Sequence, residues 1–372
     1  MTRQTFWCIY GTYQSRFSRP KTVQCYIDDT QIIKDFQYGF RSARSCTHQL
    51  LRITRTIKAA ISNRQSIGML ALDLKAAFDT LNHDGMVYKV KILGFPMFVI
   101  RLVSSFLEDR FFRTRVGSTL STIRPVSAGV PQGAVMSPSL FNIYVSDIPT
   151  DRDCTTAQFA DDTATLSQSH RTPTIIRRLQ RSGKRTTKYF TRWGIQTNGS
   201  KSAAVLFTQK TALRHQPRTK IRVEEAEVEW GYSARYLGVH LDKRLRYVMH
   251  IDETIAKVDR MVKMLYPLIR RNSPLSLQNK LILYKSIFRP TICYAAPIWS
   301  NCAITYIRRL QVVQSKLLKM MMNGHWRTPT SEVHEVCDIE LLQPYLQRLC
   351  TQFFEKCRLN INQDIVQLVE GI

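Results

Sequence analysis

The sequence predicts an α+β fold, with a small strand core in its first two thirds and a helical last third. Three observations carry that expectation. An apolar run, Ile67 to Leu72, has the length of a buried strand and ends in Asp73. Ala157 with Phe159, and Ala164 with Leu166, flank Asp161-Asp162 as two short strands flank a tight turn. Further on, Ile251, Ile255, Val258, Val262, Leu265 and Ile269 follow alternating steps of four and three. Ile304, Ile307, Leu310, Val313, Leu317 and Met320 nearly repeat them. Both sets read as core-facing stripes of bundled helices, with Lys257, Arg260, Lys263, Arg308, Arg309, Lys316 and Lys319 on the outer faces.

The remaining elements follow in order. Residues 1–36, with Gly11, Pro20 and scattered aromatics, read as irregular. Leu50, Ile53, Ile57 and Ile61 recur at helical spacing behind Ser45, which can cap the helix start. Ala76 to Val90 reads as helical, and Pro125 to Gly133 as a Gly/Pro-rich loop. Ser137-Pro138 opens a helix to about Ser146, with Ser as cap and Pro in the first turn. Ile176, Leu179, Phe190 and Trp193 line one face of a helix whose other face is basic.

At 372 residues the chain can bury a substantial core, and its 44% apolar content is ordinary. Its charge is not: 54 Lys+Arg stand against 28 Asp+Glu, a net +26. Such a surplus attracts a polyanion or an anionic surface. From Thr163 to Val223 there is no Asp or Glu, while 14 Lys or Arg occur. That favours a polyanion contact over a merely solvated face. No segment reads as transmembrane, since the best apolar stretch, Met97 to Leu107, is short and carries Arg101. Met1 to Tyr10 has no apolar core of a signal peptide behind it. The nine cysteines form no CxxC pair, so neither a zinc site nor a disulfide framework is indicated, and a reducing compartment fits.

Asp73 at a strand end and Asp161-Asp162 at a turn are the residues that could do chemistry. Half-buried, unpaired carboxylates are costly and need solvent or cations. Two Mg²⁺ ions about 4 Å apart would satisfy three of them, and would need the carboxylates within about 6 Å of a common point. Phosphoryl transfer depends on this positioning and neutralisation more than on a covalent nucleophile. An Asp-Asp pair alone, however, is more often a solvent-exposed turn.

The surroundings of the pair are more specific. Phe159-Ala160-Asp161-Asp162 is similar to the aromatic-x-Asp-Asp core of reverse transcriptases. Leu72-Asp73-Leu74-Lys75-Ala76-Ala77-Phe78-Asp79 resembles their upstream aspartate motif, and Gly129-Val130-Pro131-Gln132-Gly133 the loop between the two. Gln37-Tyr38-Gly39-Phe40-Arg41 looks like the fingers motif of non-LTR elements. Asn198 with Lys201-Ser202, and then Tyr236-Leu237-Gly238-Val239-His240-Leu241-Asp242, resemble the segments after the acidic pair. Tyr294-Ala295-Ala296-Pro297-Ile298-Trp299 matches the helical region downstream in jockey-like elements. All stand in the family's order, and the resemblance covers most of the chain.

This resemblance implies a right-hand polymerase: an antiparallel palm sheet with helices, partial fingers and a helical thumb. It divides the chain into a fingers remnant (1–36), fingers and palm (37–248), and thumb with C-terminal extension (249–372). Asp73, Asp161 and Asp162, with Leu74 beside them, would hold two Mg²⁺, with Mn²⁺ as substitute. Phe78 would lie under the incoming sugar and exclude a 2′-hydroxyl. Gln132 and Gly133 would position the nucleotide, and Lys201 would sit near the pyrophosphate. Arg41, with Arg44 as rival, would grip the triphosphate. Tyr236, Leu237 and Gly238 would form a hairpin against the primer. The implied partners are an RNA template, a DNA primer, their RNA–DNA hybrid and dNTPs, with no membrane. The implied place is intracellular, in nucleus and cytoplasm as a ribonucleoprotein.

Each residue also has a plainer reading: Phe78 as a core residue of the helix after the strand, the 129–133 loop as a Gly-Pro turn, Lys201 as surface. The sequence departs from the family at its N-terminus, where a lysine-bearing segment and an Arg-Pro-Ile-Ser-Leu segment are not found. Ala134 stands where Ser is common, and Leu81-Asn82 where an aromatic precedes the position of His83. An N-terminally truncated polymerase is therefore the expectation. The alternatives are an inactive fragment that only binds nucleic acid and a structural nucleic-acid-binding protein.

Overall fold

Alternation along one strand decides where the cores lie. The computed structural model describes residues 32–209, 217–325 and 327–370, so most of the irregular segment expected over 1–36 lies outside it. Ser45 caps helix α1 (Cys46–Ser62), its hydroxyl accepting from the His48 amide at 3.2 Å. Strand β1 (Ser66–Leu72) follows, then the short β2 (Leu74–Lys75). In β1, Ile67 and Met69 enter one core with α1, while Leu70 and Leu72 enter another on the opposite face.

The expected helix from Ala76 to Val90 forms only in its second half, as α2 (His83–Ile92). Ala76 sits at φ 47°, outside right-handed helix geometry, and Asn82 caps the later start by accepting from Gly85 N at 2.6 Å. The carbonyls of Phe78 and Leu81 accept from loop amides, Val130 at 2.9 Å and Gly129 at 2.7 Å. Residues 76–82 thus form a turn stitched to the 129–133 loop, and Phe78 lies on that turn.

Helix α3 (Met97–Leu107) packs on α2. Two small ribbons follow: β3 (Phe111–Phe112) pairs with β6 (Arg124–Pro125) around β4 (Arg115–Val116) and β5 (Thr119–Leu120). Ser137 is the first residue of α4 (Ser137–Tyr144) and not its cap, because its hydroxyl donates to Pro131 O at 2.6 Å. The acidic pair sits between β7 (Thr155–Phe159) and β8 (Asp162–Ser169), as the sequence predicts. Helix α5 (Thr172–Arg192) then crosses the back of the sheet. It buries Ile175, Leu179 and Phe190, while Ile176 and Trp193 are only half-buried. Next come β9 (Gln196–Thr197), β10 (Ala203–Phe207), β11 (Ile221–Val223), β12 (Ala226–Val228), β13 (Trp230–Gly231), β14 (Ser233–Tyr236) and β15 (Val239–Asp242).

The main sheet has the order β13-β10-β1-β8-β7, antiparallel except for β10 with β13. This is the α+β palm expected above. The last third is helical as the stripes predict, led by α6 (Val248–Ile269) and followed among others by α7 (Ile304–Met321) and α8 (Leu342–Arg358). One core cluster joins Ile67 and Met69 of the sheet to Ile251, Leu310 and Val369, so packing is continuous across residue 248. Asp364 and Asn360 return to Arg44 and Ala43 at 3.0 and 3.2 Å. Among the described residues no helix is long and apolar enough to cross a membrane, and the cysteines are free thiols.

Candidate active site

Register brings the carboxylates together. The last paired residues of β1 and β8 are Leu72 and Thr163, so Asp73 and Asp162 face one another one step beyond. Phe159 pairs with Asp162, leaving Ala160-Asp161 as a two-residue turn with Ala160 at φ 54°. Asp162 shares the sheet face of Ala164 and Leu166, and Asp73 continues the row of Met69, both on the α1 side. Among the described residues no three His, Cys, Asp or Glu side chains stand close enough to hold an ion as they are. What the strand register gives is adjacency of Asp73 and Asp162 at two neighbouring strand ends, with Asp161 in the turn beside them.

The electrostatics show the strain of this adjacency. Burial raises the Asp161 carboxyl above its ordinary range, and Asp73 adds to this, while the Asp161 amide opposes it. Asp162 opens to solvent on one side, but the surrounding protein strips water from the rest. Burial, then Asp161, then Asp73 push it up to about 6. Among the described residues no basic side chain stands among the groups acting on either carboxyl. Crowded hard oxygen donors without a counter-charge are the donor set that suits Mg²⁺.

The segments after the acidic pair hold Asp73 from the other side. Its carbonyl accepts from Asn198 N at 2.7 Å, and its amide donates to Ser202 Oγ at 3.3 Å. Ser202 Oγ in turn donates to Asn198 O at 2.9 Å, which closes a turn carrying the exposed Lys201. Leu74 is buried and pairs with Thr197, so only its carbonyl could serve a cation.

Phe78 stacks on Phe141 with centroids 4.6 Å apart and stands edge-on to the exposed Phe40 at 6.2 Å. Gln132 donates to Asp79 Oδ1 at 2.9 Å, so the loop is tied beside Phe78. Gly129 is required there: at φ 84°, an added Cβ would lie 2.7 Å from the Asp79 carbonyl. Gly133 is exposed at φ 89°.

The fingers residues have partners within the protein. Gln37 is 2% exposed and braces the acidic turn. Its Oε1 accepts from Ala160 N at 2.9 Å and Gly39 N at 2.8 Å, and Asn142 Nδ2 donates to Gly39 O at 2.9 Å. Arg41 is engaged with Lys34 O at 3.1 Å and with Asp35 at 3.8 Å. The side chain of Arg44 is 2% exposed and pairs with Asp364 at 3.0 Å, over the Tyr38 ring at 4.7 Å. Arg44 is thus engaged as a structural tie between the start of the chain's described part and its C-terminal end.

Of the hairpin expected against the primer, Tyr236 and Leu237 are buried and only Gly238 is exposed. Leu237 and Gly238, at φ 45° and 77°, make the two-residue turn between β14 and β15. Tyr294 of the downstream match docks on it, its hydroxyl donating to Leu237 O at 2.9 Å. Burial is the main cause that raises Tyr236, with Asp162 also contributing, so the hairpin, Tyr294 and the acidic turn form one neighbourhood.

Sequence reading missed the roles of Gln37, Asn142, Ser202 and Asp364, because each acts on a residue more than 100 positions away. It also missed Lys89, 1% exposed among Tyr144, Tyr189 and Trp193 and pushed down to about 8 by burial.

A palm sheet with acidic strand ends and a helical thumb defines a template-directed polymerase scaffold. The reverse transcriptase (RNA-dependent DNA polymerase) family profile matches residues 14–241, and the chain belongs to that family. It is 30% identical over 343 residues to the RNA-directed DNA polymerase from mobile element jockey of Drosophila melanogaster, covering 90% of this chain and 37% of that protein. The probable RNA-directed DNA polymerase from transposon X-element of the same species is 33% identical over 82% of this chain and 33% of its own length. The jockey polymerase of Drosophila funebris is 31% identical over 84% and 34%. The chain thus spans about a third of the length of these curated relatives.

Proposed function

We propose that this chain is the polymerising part of a non-LTR retrotransposon protein, extending a DNA primer on an RNA template with dNTPs. The observation that carries the reading is the strand register, which ends at Leu72 and Thr163 and so sets Asp73 beside Asp162, with Asp161 in the adjoining turn. Asp73, Asp161 and Asp162, with the Leu74 carbonyl, would hold two Mg²⁺, or Mn²⁺ in their place. When bound, such ions neutralise the triphosphate and make the primer hydroxyl more acidic.

The chain's own residues do the rest. Asp161 and Asp162 must be ionised to work, so activity rises as pH passes the raised Asp162 value. Phe78, held by Phe141, fills the space a 2′-hydroxyl would need. Gln132 and Gly133 present a tied loop to the nucleotide, and Lys201 puts a cation at the turn that holds Asp73. Arg41 reaches the triphosphate by exchanging its contacts with Lys34 and Asp35. Gly238, at the hairpin turn, meets the primer. Residues 37–248 act as fingers and palm and 249–372 as thumb, where exposed Lys257, Arg260 and Lys263 grip an RNA–DNA hybrid without sequence preference. Such a protein works inside the cell, in nucleus and cytoplasm, as a ribonucleoprotein.

The test is primer extension on an RNA template with dNTPs and Mg²⁺, beside Asp161→Ala. Extension by the parent alone supports the reading. No extension with salt-sensitive hybrid binding would leave the inactive nucleic-acid binder as the function of this chain.

A further inference from the structure

The acid-free basic stretch divides in two when folded. Arg178, Arg181 and Arg185 of α5 are met by Asp151 and Asp153, with Arg181 2.7 Å from Asp151, Arg178 3.1 Å from Asp153 and Arg185 3.9 Å from Asp151. Those cations already have carboxylate partners within the palm. Lys184, Lys188 and Arg192 are exposed and face a groove of about 770 Å³ between α5 and the turn of β11–β12. At steps of four they stand about 6 Å apart along the helix axis. Gln180 fixes the far wall, donating to Arg222 O at 2.8 Å and accepting from Arg222 N at 2.7 Å. Arg222, which also reaches Glu227 at 3.7 Å, faces the groove, and among the described lining residues Glu224 is the only acid. Thr187 lines the groove at 6% exposure. A groove walled by four cations, three of them at regular helical steps, against one carboxylate suits a repeated anion.

We propose that this groove binds the phosphate backbone of a nucleic-acid strand, at a second site behind the palm sheet. It lies on the α5 face, whereas the carboxylates belong to the α1 face. The C-terminal end of α5 leads into β9, whose ladder with β2 directly follows Asp73. A strand held there would run toward the edge of the catalytic centre without entering it. The inference deepens the polymerase reading, and rests on it only for the nature of the anion.

The experiment measures binding of a labelled oligoribonucleotide, and of an RNA–DNA hybrid of equal length, to the full chain over a salt series. The variant Lys184→Gln/Lys188→Gln/Arg192→Gln is compared with Lys58→Gln/Arg64→Gln/Lys356→Gln, which removes the same charge elsewhere. The groove variant is expected to lose about ten-fold in affinity and about 2 from the salt slope, while the control changes little. The probe that loses more identifies the strand form. Equal losses in the two variants overturn the proposal. So does unchanged RNA binding with lost binding to phosphatidylserine vesicles, which would make the groove a membrane contact. Because binding is read without catalysis, failure of the parent to extend a primer would strike the polymerase reading and leave this comparison intact.

Discussion

Gln37 and Ala160 lie 123 positions apart and share two hydrogen bonds: the Ala160 amide donates to Gln37 Oε1 at 2.9 Å, and Gln37 Nε2 donates to the Ala160 carbonyl at 3.3 Å. Ala160 holds a left-handed conformation that costs an L-residue roughly 1–2 kcal/mol, so the acidic turn needs an outside brace. Gln37→Leu leaves the buried Ala160 and Gly39 amides unpaired, at about 1–3 kcal/mol each. We expect a lower Tm, at least a ten-fold fall in kcat, a raised Mg²⁺ midpoint and little change in KM for dNTP. An unchanged Mg²⁺ midpoint would reduce Gln37 to a core residue.

Gly39 tests the same contact by shape. A Cβ there would stand 2.3 Å from Ala160 N, a backbone atom that cannot swing away. Gly39→Ala should destabilise by about 1–3 kcal/mol, visible as an earlier denaturant midpoint with unchanged slope. A variant as stable as the parent would show that the motif docks elsewhere.

Asp162 gives a pH prediction. Its carboxyl is raised to about 6, mainly by burial and then by Asp161 and Asp73. The folded state therefore holds this proton more tightly than the unfolded chain. The stabilisation is full below the ordinary Asp value and is lost as pH rises through about 6. Extension should fall as pH drops through that range. Asp162→Asn should abolish extension yet raise Tm at neutral pH by about 1–2 °C, a small gain because solvent screens the site. Mg²⁺ should raise the parent's Tm more than the variant's. A variant that melts below the parent at neutral pH contradicts the raised value.

Phe78 is positioned by its stack on Phe141. Phe78→Val should weaken discrimination against rNTPs by about ten- to a hundred-fold, and cost about 1 kcal/mol of stacking. Steady-state kcat/KM for dNTP and rNTP measures the ratio. An unchanged ratio would leave Phe78 as core alone.

Arg44 separates structure from substrate binding. With its side chain 2% exposed and paired to the half-exposed Asp364, it should be needed for stability. Arg44→Ala and Asp364→Ala should each lower Tm and leave KM for dNTP near the parent's, whereas Arg41→Ala should raise it. A raised KM for Arg44→Ala alone would restore it as a triphosphate ligand.

The sequence by itself determined the chemical kinds and their local frame. The run ending in Asp73, the strands around Asp161-Asp162, the Ser45 cap and the helical stripes all follow from periodicity and capping, which act within a few residues. Ala76–Val90 is helix-compatible in sequence, yet its first half folds as a turn because Phe78 and Leu81 give their carbonyls to a loop 48 or more residues away. Only the tertiary structure decided that Asp73 meets Asp162, that Gln37 braces Ala160, that Arg44 is tied to Asp364, and which cations of α5 are already paired. The physical reason is that these are hydrogen bonds, ion pairs and strand registers between distant segments. Their partners are set by how the cores pack, and no local pattern of residues carries that information.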